Sequence, residues 1–132
     1  MKAMLWNHEK LIEVELKPDS ETPIHEQVNE MLGCRCMTSI QFNIDLEAYV
    51  DDEGLLHDEP RYGALWIDPD TGKIHQPIGG KLLFVNHNDM GETTGLSYTQ
   101  MKMIQHLKRH RLVDIDNRYY EALLIPFYRR EN

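Results

Sequence analysis

From Ile40 to Val50 apolar and polar residues alternate almost without fault. Ile40, Phe42, Ile44, Leu46, Ala48 and Val50 fall on one side, and Gln41, Asn43, Asp45, Glu47 and Tyr49 on the other. The pattern predicts one long half-buried strand. Asp51-Asp52-Glu53-Gly54 supplies short acidic residues and a glycine, and Leu55-Leu56 resumes apolar character, which predicts a hairpin reversal at that point. Earlier, Lys2 to Trp6 and Leu11 to Leu16 flank the polar tetrapeptide Asn7-His8-Glu9-Lys10 and read as two short strands. Ile24, Val28, Met31 and Leu32 recur at helical spacing. Thr22-Pro23 reads as the helix start and Gly33 as its left-handed stop.

Arg61-Tyr62-Gly63-Ala64-Leu65 has no clear period and reads as an ordered loop. Trp66-Ile67 and Lys73-Ile74-His75 flank Asp68-Pro69-Asp70-Thr71-Gly72, a turn sequence, and predict a smaller hairpin. Gly79-Gly80 opens Lys81 to Asn86, whose four consecutive apolar residues mark a central strand buried on both faces. Ser97 with Gln100 forms a capping box, and Tyr98, Met101, Ile104 and Leu107 make a helical stripe ending near the basic run Lys108-Arg109-His110-Arg111. The predicted fold is α+β: a small mixed or antiparallel sheet, two helices packed on it, and an apolar C-terminal extension over 111–132. That extension, rich in tyrosine, leucine and phenylalanine, is expected to pack on the sheet or to meet a second subunit.

At 132 residues, with 41% apolar and 27% charged residues, the chain fits one domain over 1–132 with its own core. A net charge of −8 argues against direct binding to bare nucleic acid, since phosphate contacts need a positive footprint. No apolar run reaches the roughly twenty residues of a membrane helix or the core of a signal peptide, so a cytoplasmic location is expected. Cys34 and Cys36, one residue apart, read as reduced thiols.

Met1-Lys2-Ala3, a helix ending at Gly33, Ala48 to Leu55, Pro60 with Arg61 to Leu65, Gly80 to Asn86, and Leu96 to Gln100 follow one another in a telling order. In that order and spacing the chain resembles a family of short proteins of phages, plasmids and mobile elements known only as a domain of unknown function. Its motifs are of the "YVNEEGKL", "NRAL" and "GTFLVVG" types. The likeness spans about 1–110; Arg61 to Leu65 replaces the compact "NRAL" type motif, and residues beyond Arg111 extend past it. The resemblance implies a mobile-element accessory protein acting in the host cytoplasm, and it brings no catalytic residue.

The candidate chemistry is sparse. His106 and His110 share i, i+4 spacing but lack a third ligand, Asp68 to Gly72 lacks the glutamate of a calcium loop, and Ser97 is explained as a cap. Asp51, Asp52, Glu53, Asp58 and Glu59 read as solvated turn residues. Hence no metal, cofactor or catalytic residue is assigned. Gly79-Gly80-Lys81 allows close approach to an anion, and Asn86-His87-Asn88 offers donors and acceptors at a strand end. With Arg61, Tyr62 and Trp66 they are expected to form one pocket for a phosphate-bearing aromatic ligand. The expected function is non-enzymatic binding and sequestration of a nucleotide-derived immune signal by a homo-oligomer that counteracts host defence. Two alternatives stand beside it: an acidic inhibitor of a host nuclease or restriction complex, and a small phosphodiesterase-like hydrolase.

Overall fold

The computed structural model describes residues 1–57 and 60–128. Asp58, Glu59 and the last four residues of the expected extension therefore lie outside the described residues. Along the chain run β1 (Lys2–Trp6), β2 (Leu11–Glu15), α1 (Ile24–Leu32), β3 (Met37–Asn43), β4 (Leu46–Asp51) and β5 (Tyr62–Ile67). They are followed by β6 (Ile74–Gly79), β7 (Leu82–His87), β8 (Thr93–Thr94), α2 (Tyr98–Gln105), β9 (Lys108–Val113) and β10 (Tyr119–Pro126).

The strands form two sheets where one was expected. The first has the order β2-β1-β7-β4-β3, all antiparallel, with β8 beside the end of β7. The second has the order β6-β5-β10-β9, in which β5 and β10 run parallel. Leu82 to Val85 are buried on both faces because β7 is the middle strand of the first sheet. Leu82 and Phe84 enter a core with Met4, Trp6, Ala48, Val50, Ala64, Ile78, Leu123 and Ile125, which is the space between the sheets. Leu83 and Val85 pack on the opposite face with Val28 and Leu32 of α1. Three layers result: α1, the first sheet, and the second sheet. Ile104 of α2 joins the core between the sheets, with Met101 and Leu107 packed against it.

Several expectations are corrected. The strand predicted over Ile40 to Val50 is a hairpin: β3 stops at Asn43, whose Oδ1 accepts the Asp45 N–H at 2.9 Å, and β4 restarts at Leu46. Ile44 sits at the reversal and is 89% exposed. Conversely, Asp51 to Gly54 does not reverse into a strand. Gly54 donates to the Asp51 carbonyl, Leu56 to that of Glu53, and both Leu55 and Leu56 stay exposed. Arg61 to Leu65 is not a loop, since β5 begins at Tyr62 and takes a place between β6 and β10. The basic run expected to end α2 forms β9, because the helix stops at Gln105 and His106 is its C-cap.

Other features match. Gly33 ends α1 in the left-handed region at φ 67°, although the N-cap is Pro23 and not Thr22. Ser97 and Gln100 make the reciprocal capping box of α2.

Candidate functional site

At one end of the molecule β5 and β7 begin and β6 ends. Tyr62 pairs with Gly79, and the Gly80 N–H donates to the Arg61 carbonyl at 2.8 Å. The β1–β2 turn reaches the same end, because the His8 carbonyl accepts from the Glu121 N–H at 3.2 Å and the His8 ring meets Tyr120 edge-on at 5.8 Å. Arg61 lies over the Tyr120 ring at 5.3 Å, and its Nη2 donates to Asp114 Oδ2 at 2.6 Å. The Tyr62 N–H donates in turn to the Tyr120 hydroxyl at 3.2 Å. A cation is thus held over an aromatic face and tied to a carboxylate.

His8 occupies the centre of this arrangement. It adopts φ 74°, uncommon for a residue with a Cβ, and the Asn7 side chain stabilises the turn by accepting the Glu9 and Lys10 N–H groups. The residue is only 9% exposed, and its Nδ1 is buried with no hydrogen-bond partner among the described residues. Burial lowers the His8 pKa first and the Arg61 charge second. The Tyr62 backbone opposes them, and Lys81 lowers it again. The neutral imidazole is therefore favoured. The Asp114 carboxyl is held below its usual range, chiefly by the Arg118 backbone N–H, with the Arg61 side chain adding to it.

Five of the nine expected site residues, Arg61, Tyr62, Gly79, Gly80 and Lys81, come to this end. The two glycines have a structural task there. A Cβ on Gly79 would stand 2.5 Å from Gly54 backbone atoms, and one on Gly63 would overlap the Gly80 carbonyl oxygen, so backbones pass in direct contact.

Asn86, His87 and Asn88 lie at the far end of β7, a separation of about 17 Å at roughly 3.4 Å per residue. One pocket does not contain both ends. Asn86 exchanges amide hydrogen bonds with Gln100 at 2.6 and 2.7 Å and so ties β7 to the start of α2. Asn88 holds the following turn by accepting the Met90 and Glu92 N–H groups. His87 sits in a relay: Nδ1 meets Glu47 Oε2 at 2.9 Å, Nε2 meets the Tyr49 hydroxyl at 2.6 Å, and that hydroxyl meets Thr93 Oγ1 at 2.5 Å. The connectivity is that of a proton relay, yet Tyr49 is buried and its hydroxyl is engaged on both sides.

Trp66 stands apart as well. It meets Phe42, His75 and Phe127 edge-on at 5.2, 4.9 and 5.4 Å, while His75 and Phe127 stack at 3.8 Å. With Gln41, Phe42, Asn43, Ile44, Phe127 and Tyr128 it lines a cleft of about 510 Å³. Its rings pack on one another and leave no slot between them. The acidic turn is likewise engaged locally, Glu53 with Arg35 at 3.1 Å and Asp51 with His57 at 2.8 Å. His106 and His110 do not share a helix, and among the described residues no group of three His, Cys, Asp or Glu residues is placed to hold a metal.

The residues that composition and spacing did not single out are His8 and Tyr120. The turn containing His8 was visible, but its burial depends on β10, more than a hundred residues later. Tyr120 was legible only as part of an apolar tail.

No helix among the described residues is long and apolar enough to cross a membrane. No curated protein and no solved structure matches the chain. Residues 1–109 match the family described as "Domain of unknown function (DUF3846)". The match runs from β1 through α2 and stops within β9, which is well over half of the 132 residues. The chain therefore belongs to the DUF3846 family.

Proposed function

We propose that the protein binds, without transforming it, an anionic small molecule with an aromatic ring system at the His8, Arg61, Lys81 and Tyr120 end. A nucleotide-derived signalling molecule is the class that fits. The observation that carries this reading is the Arg61 guanidinium, laid on Tyr120 and anchored by Asp114, next to a buried imidazole nitrogen without a partner. Asp114 engages Nη2, so other guanidinium N–H groups remain for phosphate oxygens, and Lys81 adds a second cation. Tyr62, exposed at the same end, supplies a ring face for a base, while the buried Tyr120 holds Arg61 in place. Sequestration of such a signal would let a mobile-element protein blunt a host defence.

Calorimetry and thermal shift against cyclic dinucleotides and cyclic ADP-ribose isomers test it. The expected result is binding at micromolar Kd or tighter, weakened about 10- to 100-fold in Arg61→Ala and Lys81→Ala, in line with roughly 1.5–3 kcal/mol for charged hydrogen bonds. Absence of binding, or binding indifferent to both variants, would overturn it. Mass spectrometry of the recovered ligand separates sequestration from hydrolysis: intact ligand supports the proposal, and product supports a hydrolase instead.

A further inference from the structure

Acidic residues outnumber Lys and Arg by 22 to 14, yet Lys108, Arg109, His110 and Arg111 follow one another on a single strand with all four exposed. β9 is the edge of the second sheet, and among the described residues it pairs only with β10. The outer side of its backbone therefore presents N–H and C=O groups to which no strand is bonded. Among the described residues, none of the four forms an ion pair with a carboxylate.

Two of the cations are held in place by aromatic rings and not by carboxylates. Arg109 lies over the Trp6 ring at 4.9 Å and Arg111 over Tyr119 at 5.3 Å, which orients each guanidinium, and although Glu121 stands opposite Arg111 in the ladder neither arginine forms an ion pair among the described residues. At the tip of the β9–β10 hairpin, Asp114 turns onto Arg61, while Ile115 is 75% exposed and Val113 is also exposed. The edge thus combines free backbone groups, unmatched positive charge and an apolar end.

Charge on an edge strand also discourages pairing between like copies. It does so here, and it narrows the choice of occupant. The acidic edge β2 of a second copy is poorly suited, because its Glu13 is paired with Lys2 at 3.2 Å and its Glu15 with the N-terminal ammonium at 2.9 Å. We propose that β9 receives an extended acidic segment of another protein, which adds to the second sheet as a fifth strand. Backbone hydrogen bonds would give register, carboxylates on one face of the added strand would meet Lys108 and His110, and apolar residues on its other face would cover Val113. This surface is independent of the small-molecule reading.

The test uses the full chain and a fluorescent nine-residue peptide alternating glutamate with valine, with a lysine-for-glutamate peptide as control. Anisotropy should report binding of the acidic peptide only, weakening as salt rises. Amide exchange on the wild-type protein should slow over 108–113. The double variant Lys108→Glu with His110→Glu, whose side chains are not those laid on Trp6 and Tyr119, should bind at least about tenfold more weakly at an unchanged Tm. If that variant does not fold, the exchange pattern of the wild type decides. No peptide binding, or binding without protection at 108–113, overturns the proposal. So does tighter binding to phosphatidylserine vesicles or to single-stranded oligonucleotide than to the peptide, or self-association through β9.

Discussion

At the scale of single residues, His8 concentrates the unusual physics of this chain: a left-handed backbone, near-complete burial and a nitrogen without a partner. Its pKa is lowered in the folded protein, so the unfolded chain binds the proton more tightly. Stability contributed by the neutral ring is present above the ordinary histidine value of about 6.5 and is lost as pH falls through the lower folded value. Chemical denaturation at pH 7.5 and pH 5.5 should show a midpoint drop that shrinks in His8→Asn, asparagine being a residue that tolerates positive φ. An equal drop in the variant would show that other groups cause the acid sensitivity. His8 illustrates a general limit on reading residues: a turn sequence reveals its own geometry but not what later packs over it.

The β3–β4 hairpin shows the same limit at the scale of an element. Ile40 pairs with Ala48 and Gln41 with Glu47, so even-numbered residues of both strands share the core face. A two-residue reversal alone would flip the alternation, since Asn43 pairs with Leu46, but the irregularity between Gln41 and Asn43 restores its parity, and eleven residues look like one strand when they are two. Only the Asn43 side chain bonded to the Asp45 N–H marks the break. The consequence is measurable. Phe42→Ala, at a buried position, should cost about 3–5 kcal/mol, whereas Ile44→Asn, in the same apparent stripe, should change stability by less than about 0.5 kcal/mol. Denaturant midpoints of the two variants check this, and a cost above about 1 kcal/mol at Ile44 would contradict the exposed turn. Where local chemistry decides, the sequence is legible: Ser97 and Gln100 cap α2, Gly33 stops α1, and the apolar run of β7 lies mid-sheet. Where pairing decides, it is not. Nothing within Arg61 to Leu65 announces a strand, because β5 is specified by β6 and β10 on its flanks. For that reason the expected pocket came apart: its two halves are joined in sequence by β7 and separated in space by the same strand.

For the molecule as a whole, the boundary of the family match and the boundary of the fold do not coincide. Residues 1–109 omit β10, whose Leu123 and Ile125 are fully buried in the core between the two sheets. A chain ending at Arg109 should therefore lack a cooperative melting transition, while the full chain retains one. A sharp transition in the shortened chain, read by circular dichroism and calorimetry, would show that the first sheet and α1 suffice. The parallel pairing of β10 with β5 also bears on synthesis. While the chain emerges from a ribosome, everything needed for the first sheet is present once Thr94 is out, but β5 and β6 must wait for Tyr119 to Pro126 before their sheet has a centre. Until then Ala64, Ile78 and the inner face of β7 lack the cover that Leu123 and Ile125 give them. That interval, and not any step within the first sheet, is where the nascent protein is most exposed to aggregation or to a chaperone.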